Sequence, residues 1–248
     1  MLDDNVDNDS KGMLIFSIAL NGYDVLYKRY LESHKNYAKR LNCPYISVVR
    51  PRFTSLGVEC CWLKLYLIQK AIESGYRSVL FLDADALVQE NAPDIRNEFI
   101  DGKSIYLVKG YSGEFNSGVI LVHSDESALQ FFNNVIENRF INTLTSVGWG
   151  ENDGVINEVT KSNCVYELGQ KWNNTGNHEL QDFIRHVNHG PLRTDFFRNL
   201  FHKILNRITK FIWFSVKVAG GKNQELLKKK ATERLYIRIL KHYPQFVR

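Results

Sequence analysis

The chain has 248 residues, of which 44% are hydrophobic, 12% aromatic and 24% charged, and its formal charge is +5. This composition excludes a disordered or collagen-like chain, and the length predicts one main domain with room for a small appendage. No apolar run approaches the roughly 18 residues that a membrane span requires. The first ten residues are acidic, unlike a secretory signal, and the four cysteines lack metal-ligand spacing, so we expect reduced thiols and a cytoplasmic protein.

The charge is unevenly distributed along the chain. Residues 1–200 carry 20 Lys and Arg against 25 Asp and Glu, whereas residues 201–248 carry 12 against 2. A turn-rich segment precedes the change. We therefore expect a disordered acidic N-terminus at 1–12, a main domain at 13–198 and a basic helical tail at 199–248.

Apolar runs typical of buried strands alternate with helical periods through the main domain. The first three predicted strands cover residues 13–20, 45–49 and 78–82. Helical spacing covers 23–41 and 61–73 between them, and two more strands are predicted near 104–108 and 118–122. The alternation predicts an α/β fold with a parallel-rich sheet that helices cover on both faces.

Two carboxylates follow the third predicted strand at i and i+2, as Asp83 and Asp85. Open α/β sheets bind ligands at the carboxyl ends of their strands. Carboxylate oxygens in this position are suited to magnesium or manganese that bridges to a diphosphate. A solvated acidic turn is the alternative interpretation of an isolated pair.

Three further polar clusters follow. The turn Asn116-Ser-Gly118 could hydrogen-bond a sugar hydroxyl, or it could be an ordinary turn before a strand. The acids between Glu151 and Asp153 open a predicted helix, where they could act chemically or only interact with the helix dipole. A histidine at 186 or 189 could be a metal ligand or a structural residue.

In their order along the chain, these clusters resemble the GT-A nucleotide-sugar glycosyltransferases. The resemblance implies a Rossmann-like α/β fold with a mixed, mostly parallel sheet flanked by helices, to which the basic helical tail is an appendage. The similarity is greatest to the retaining families that include glycogenin, the bacterial lipopolysaccharide galactosyltransferases and the fungal and plant α-glycosyltransferases. It runs from about Leu14 to Arg193. It rests on a helix that contains Lys64, on Leu-Asp83-Ala-Asp-Ala-Leu, on Phe-Asn-Ser-Gly118, on a later acidic motif and on a final histidine.

The resemblance implies a metal site and therefore a cofactor, Mn²⁺ or Mg²⁺. Asp83 and Asp85 match the family's D-x-D ligands, and the third ligand falls most naturally on His186. His189 is the alternative, because His186 to Gly190 is one residue longer than the family's H-x-x-G spacing.

The resemblance also implies contacts with a nucleotide sugar. Asn116 and Ser117 would contact the transferred sugar, and Lys64 would lie near the diphosphate or support the D-x-D loop. Ala19 and Asn21, at the end of the first strand, would approach the base.

The acidic motif would supply the catalytic residues. Glu151, Asn152 and Asp153 occupy the position of the family's D-Q-D segment, on the reactive face of the sugar. The sequence from Trp149 to Asp153 is also similar to the W-G-G-E-[DN] segment of other GT-A families, some of them inverting. Retention is favoured, and inversion with a carboxylate base stays open.

Apolar residues of the basic tail share one helical stripe, namely Phe201, Ile204, Leu205, Ile208, Phe211, Ile212 and Val216. Such a helix can lie in the headgroup region of an anionic membrane, aided by Lys228 to Lys230, or it can pack on the core. Nucleic acid is not an expected partner, because the main domain is acidic.

The sequence thus predicts a metal-dependent glycosyltransferase, as in polysaccharide biosynthesis. It would transfer a hexose from a UDP-sugar to a glycan or lipid-linked acceptor at the cytoplasmic face of a membrane. Two alternatives stay open. One is an aspartyl phosphohydrolase that uses the D-x-D carboxylates, and the other is a catalytically inactive module that binds nucleotide sugars or membranes.

Overall fold

The computed structural model describes residues 11–140, 150–187, 191–192, 199–201, 203–205, 207–208, 211 and 224–247. The strands of this part are β1 (Lys11–Ile18), β2 (Tyr45–Val48), β3 (Tyr76–Leu82), β4 (Ala86–Val88), β5 (Ile105–Lys109), β6 (Phe115–His123), β7 (Val165–Glu167) and β8 (Ile184–His186). The α-helices of this part include α1 (Tyr23–Leu26), α2 (Lys28–Arg40), α3 (Leu63–Glu73), α4 (Glu126–Glu137), α5 (Gly150–Val159) and α6 (Gln224–His242).

Six strands form the main sheet in the order β2-β1-β3-β6-β5-β7. β1 is parallel to both β2 and β3, and β7 is parallel to β5, whereas β6 is antiparallel to its neighbours β3 and β5. The prediction of an α/β fold with a mixed, mostly parallel sheet is confirmed. β1 begins at Lys11, two residues before the expected domain start, and residues 1–10 lie outside the described part.

Helices cover both faces of this sheet, which explains the continuous apolar runs of its central strands. Side chains alternate between faces, so Leu14 and Phe81 pack in one cluster with α3 and α4, whereas Ile15 and Leu80 pack in a second cluster with α2. All four side chains are at most 1% exposed. Each such burial stabilises the fold by about 1.5–3 kcal/mol.

A second, two-stranded sheet places the D-x-D turn beside the predicted metal-binding histidine. β4 and β8 are antiparallel, and Ala86 lies opposite His186 in their register. Helix α2 contacts this small sheet, since the Val88 amide donates to the hydroxyl of Ser33 at 3.1 Å. Two segments that lie 100 residues apart in the chain therefore meet at the end of β3.

The end of the basic tail joins the core of the main domain. Leu235 and Ile239 of α6 and Phe246 after it are 7%, 0% and 0% exposed, and they pack in the cluster that contains α3. The Tyr243 hydroxyl accepts hydrogen bonds from the amides of Val49 and Arg50. The sequence analysis treated this region as an appendage, because an amphipathic period shows that a helix has an apolar face but not what covers it.

The predicted apolar stripe is partly visible. Its residues Ile204, Ile208 and Phe211 are 50%, 48% and 72% exposed, Phe201 and Leu205 are half-buried, and Ile212 and Val216 lie outside the described residues. Within the described ranges, no helix combines the length and the hydropathy that a bilayer span needs.

Candidate active site

The D-x-D carboxylates lie in a tight turn where β3 ends. The Asp83 amide donates to the carbonyl oxygen of Gly118 at 2.7 Å, and the Ala86 amide donates back to the Asp83 carbonyl at 2.9 Å. These bonds hold the turn at the carboxyl end of β3. The Asp83 and Asp85 side chains are 33% and 17% exposed, so a ligand can reach both carboxylates.

His186, the last residue of β8, completes the cluster. Its Nε2 atom lies 3.2 Å from Asp85 Oδ1 and 3.8 Å from Asp83 Oδ2, and the side chain is 3% exposed. One ligand atom from each residue can be chosen so that all three lie within 4.8 Å of one another. The three residues that the sequence analysis named as ligands are thus brought together, whereas the alternative, His189, lies outside the described residues.

The chemistry of this donor set fits a divalent cation. Two carboxylates and one imidazole are ligands that Mn²⁺ accepts, and carboxylates are preferred by Mg²⁺. His186 Nδ1 is 3.0 Å from Asn173 Oδ1, an arrangement typical of histidines that bind metal through Nε2. Burial lowers the pKa of His186, but the carboxylates of Asp85 and Asp83 outweigh it, so the pKa is raised. Positive charge is therefore favoured where the three side chains meet.

Gly118 explains why the Asn-Ser-Gly turn contains a glycine. A Cβ atom at this position would lie 2.0 Å from Cε1 and 2.6 Å from Nδ1 of His186. Atoms that are not bonded to each other do not approach this closely, so any side chain at this position would displace the imidazole. The predicted sugar-binding turn therefore also packs directly against His186, the histidine predicted to bind metal.

Lys64 lies behind the D-x-D turn and is 3% exposed. Its ammonium group donates to the carbonyl and hydroxyl oxygens of Ser117 at 3.0 and 3.2 Å. It also lies 3.4 Å from Glu151 Oε1 and 3.7 Å from Asp83 Oδ1. Burial lowers the pKa of Lys64, but Asp83 and Glu151 outweigh this effect and raise it, so the ammonium stays charged.

The three residues of the acidic motif are buried in the first turn of α5, with exposed fractions of 4%, 7% and 2% for Glu151, Asn152 and Asp153. Asn152 Oδ1 accepts from the Ser117 amide at 2.8 Å, and its Nδ2 donates to the Phe115 carbonyl at 3.1 Å. The side-chain amide of Asn152 therefore pairs with a backbone N–H and a backbone carbonyl at the start of β6.

The two acids differ from Asn152 in their partners. Burial raises the pKa of Glu151 to about 7, although Lys64 opposes that effect. Asp153 Oδ1 has no hydrogen-bond partner within the described ranges.

Ala19 and Asn21 follow β1, at the same edge of the sheet as the D-x-D turn, because β1 and β3 are parallel. Ala19 is 1% exposed and its amide donates to the Val48 carbonyl. Asn21 has a left-handed backbone (φ 58°), and its Oδ1 accepts from the Thr54 amide at 2.7 Å. The structure thus gives Asn21 a role in shaping this loop.

Two residues near the site were missed by the sequence analysis. Asn173 is 1% exposed and lies against His186. His34 of α2 is fully buried, with Nδ1 accepting from the Ser17 hydroxyl at 2.8 Å and Nε2 donating to the Ala86 carbonyl. Burial lowers the pKa of His34 to about 4. The available signal was a histidine on the apolar face of a predicted helix, whereas Asn173 had none.

The sequence matches no protein-family profile and no curated protein. Solved structures nevertheless share its fold. One is a glycosyltransferase involved in the glycosylation of the major capsid of PBCV-1, with a TM-score of 0.58 and 16% identity over 79% of this chain and 98% of that one. Another is the apo-form glycosyltransferase GlyE of Streptococcus pneumoniae TIGR4, with a TM-score of 0.50 and 14% identity over 83% of this chain and 64% of that one.

Identities this low establish the fold alone. The chain has a GT-A-like glycosyltransferase fold, and the resemblance drawn from its motifs is confirmed at that level.

Proposed function

We propose that this chain is a metal-dependent glycosyltransferase that transfers a hexose from a UDP-sugar to a glycan or lipid-linked acceptor. The observation that carries the proposal is the convergence of Asp83, Asp85 and His186 at the end of β3, in a fold that solved glycosyltransferases share. The carboxylates are accessible, and the buried imidazole faces them.

The residues of the site would act by position and charge. A bound Mn²⁺ or Mg²⁺ supplies Lewis-acid stabilisation of the departing diphosphate. Asp83, Asp85 and His186 Nε2 would hold that ion. Lys64 opposes the effect of burial on the pKa of Asp83 and favours its charged form, while its hydrogen bonds to Ser117 tie the turn of β6 to the D-x-D turn. Asn116 would contact the sugar.

We favour retention of configuration. An inverting reaction needs a base that reaches the acceptor hydroxyl. Glu151 and Asp153 are 4% and 2% exposed, and the Asn152 amide is bound to the backbone of β6. In a retaining reaction the acceptor hydroxyl approaches on the leaving-group face, and its proton passes to the departing phosphate. The burial of the acidic motif supports retention. Glu151, Asn152 and Asp153 would then shape the site without contacting the reacting atoms.

Thermal unfolding with UDP and UDP-sugars, with and without Mn²⁺, tests the proposal. A ligand at 100 times its dissociation constant should stabilise the fold by about 2.7 kcal/mol. We expect UDP or a UDP-sugar to raise the melting temperature only when Mn²⁺ is present. Hydrolysis of p-nitrophenyl phosphate with Mg²⁺ and no response to nucleotides would instead support the phosphohydrolase. That alternative is disfavoured because the D-x-D motif follows β3, not the first strand.

We further infer that an anionic membrane surface is a partner. Leu200, Ile204 and Ile208 recur at helical spacing with about half of each side chain exposed, and Lys203 and Arg207 beside them are exposed. Apolar side chains flanked by cations are complementary to an anionic interface.

Co-sedimentation with vesicles tests this partner. Phosphatidylcholine vesicles with phosphatidylglycerol should bind the protein, and vesicles without it should bind weakly. Ile204→Glu with Ile208→Glu should weaken binding at least about tenfold, given the apolar area removed. Ile100→Glu is the matched control, because Ile100 is 43% exposed elsewhere on the fold. Equal binding of all three proteins would exclude the membrane as a partner of this helix.

A further inference from the structure

A backbone amide fixes the orientation of the Asn116 side chain. The Gly118 N–H lies 3.0 Å from Asn116 Oδ1. A backbone N–H can only donate, so the side-chain atom that faces it must be the amide oxygen. This settles a choice that is ambiguous for most asparagines, whose oxygen and nitrogen are interchangeable in shape.

The same logic then fixes Asn173. One of its side-chain amide atoms lies 2.9 Å from Asn116 Oδ1 and 3.4 Å from the Asn116 carbonyl oxygen. Both are acceptors, so this atom must be the donor Nδ2. The remaining atom, Oδ1, faces His186 Nδ1 at 3.0 Å, and His186 must therefore carry its hydrogen on Nδ1. The chain of hydrogen bonds has one direction throughout.

The two ends of this series of hydrogen bonds, His186 and Asn116, are the residues proposed to contact the metal ion and the sugar. At one end, Nε2 of His186 faces Asp83 and Asp85, and the hydrogen on Nδ1 leaves Nε2 as the ring nitrogen that can bind a metal. At the other end, both contacts of Asn116 use its oxygen, which leaves its NH₂ group, and no bond from that group is seen within the described ranges. Asn173 itself is 1% exposed, so its atoms do not reach a substrate.

We propose that Asn173 is a positioning residue that orients Asn116 so that its NH₂ group, not its oxygen, faces the sugar of the nucleotide donor. This rests on the proposed glycosyltransferase function. The group recognised by Asn116 is then an acceptor, such as a hydroxyl oxygen of the hexose. Because Asn173 also contacts His186, one buried amide sets the geometry of both the metal ligand and the sugar contact.

The variant Asn173→Asp tests the proposal, since it replaces only the NH₂ group of the Asn173 side chain by an oxygen. A carboxylate at 173 still accepts from His186 Nδ1–H but cannot donate to Asn116 Oδ1. Asn116 Oδ1 would then face an oxygen at 173 and the Gly118 N–H at once. No orientation of the Asn116 amide satisfies both neighbours, so its NH₂ group is no longer held towards the sugar. We expect the affinity for UDP with Mn²⁺ to stay within about threefold of wild type, and the affinity for the sugar nucleotide to fall about tenfold, as for one lost hydrogen bond.

The measurement is isothermal titration calorimetry of UDP, UDP-glucose and UDP-galactose in the presence of Mn²⁺. Asn177→Asp is the matched control, because it makes the same change four residues away. Within the described ranges, the Asn177 side chain uses only its oxygen, which accepts a hydrogen bond from the Glu179 backbone N–H. It should bind all three ligands as wild type does. If Asn173→Asp fails to fold, Asn116→Asp keeps both acceptor contacts, removes only the NH₂ group and should show the same selective loss.

A selective loss of sugar-nucleotide affinity in these variants supports the proposal. An equal loss for UDP and for the sugar nucleotides, or no loss, overturns it and leaves the proposed function intact. Wild-type protein that binds UDP with Mn²⁺ but neither sugar nucleotide more tightly than UDP also overturns it. Wild-type protein that binds none of these ligands overturns the proposed function and this inference together.

Discussion

The end of β3 contributes to two charged clusters that differ in exposure. Asp83 belongs to both, because its Oδ2 faces His186 and its Oδ1 faces Lys64. The carboxylates of the first cluster, Asp83 and Asp85, are 33% and 17% exposed, whereas Lys64 and Glu151 of the second are 3% and 4% exposed. Similar residue types therefore have different roles: the open cluster can bind a ligand, and the closed cluster holds the backbone that shapes it.

The largest effect should come from the open cluster, in Asp83→Asn with Asp85→Asn. The proposed function makes both residues metal ligands, and losing the ion removes several kcal/mol of leaving-group stabilisation, so turnover should fall about a thousandfold or more. The free energy of unfolding should change by only about 1 kcal/mol, because both side chains are partly exposed and repel each other. Turnover of a UDP-sugar and urea denaturation measure the two effects.

Asp101→Asn is the control for this variant, since Asp101 is exposed in a turn outside the cluster. It should change neither quantity. Full activity of the double variant would rule out the assignment of Asp83 and Asp85 as metal ligands.

The closed cluster should behave in the opposite way. Lys64→Met leaves the buried Glu151 without its cation, and breaking a buried ion pair in this way costs about 3–5 kcal/mol of stability. Urea denaturation should show the loss even in the absence of nucleotide and metal. Adding Glu151→Gln should restore part of it, because a buried glutamine needs neither a cation nor the uptake of a proton.

Lys70→Met, in the same helix, is the matched control. Lys70 pairs with Glu73 at the surface, at 3.2 Å, and such pairs contribute about 1 kcal/mol or less. If Lys64→Met is no more destabilising than Lys70→Met, the closed cluster does not have the structural role proposed for it.

A smaller, pH-dependent effect should come from His34, which supports the open cluster through Ala86. Its pKa is lowered from 6.5 to about 4 by burial. Between these values the unfolded chain binds a proton at His34 that the folded chain does not. The contribution of neutral His34 to the free energy of unfolding is therefore fully present above pH 6.5 and is lost as the pH falls towards 4. The loss across this window should be roughly 3 kcal/mol.

His34→Gln removes the titrating group and keeps a donor for the Ala86 carbonyl. The free energy of unfolding of wild type and variant, measured from pH 7 to pH 4, should therefore differ in slope, with a flatter profile for the variant. Parallel profiles would show that folding does not lower the pKa of His34.

Much of the site could be predicted from the sequence because its residues lie in contiguous motifs. The apolar run before Asp83 predicts a buried strand, and open α/β sheets bind ligands at the carboxyl ends of such strands, where Asp83 and Asp85 follow. Lys64, Asn116 and His186 were expected from the order of the motifs, and the structure brings them together. The roles of the acidic motif were less predictable, since burial, not residue type, decides whether Glu151 meets substrate or Lys64.

The sequence by itself determined the longer strands β1, β2, β3, β5 and β6, the helices between the first three, and the candidate ligands, because these depend on periodicity and on residues close together in the chain. The tertiary structure decided what distant residues do when they meet. Asn173 and His34 became part of the site because β8 and α2 pack beside the D-x-D turn, and the last helix became part of the core because Leu235 and Phe246 fit the space beside α3. Such contacts depend on three-dimensional packing, which no local pattern of residues encodes.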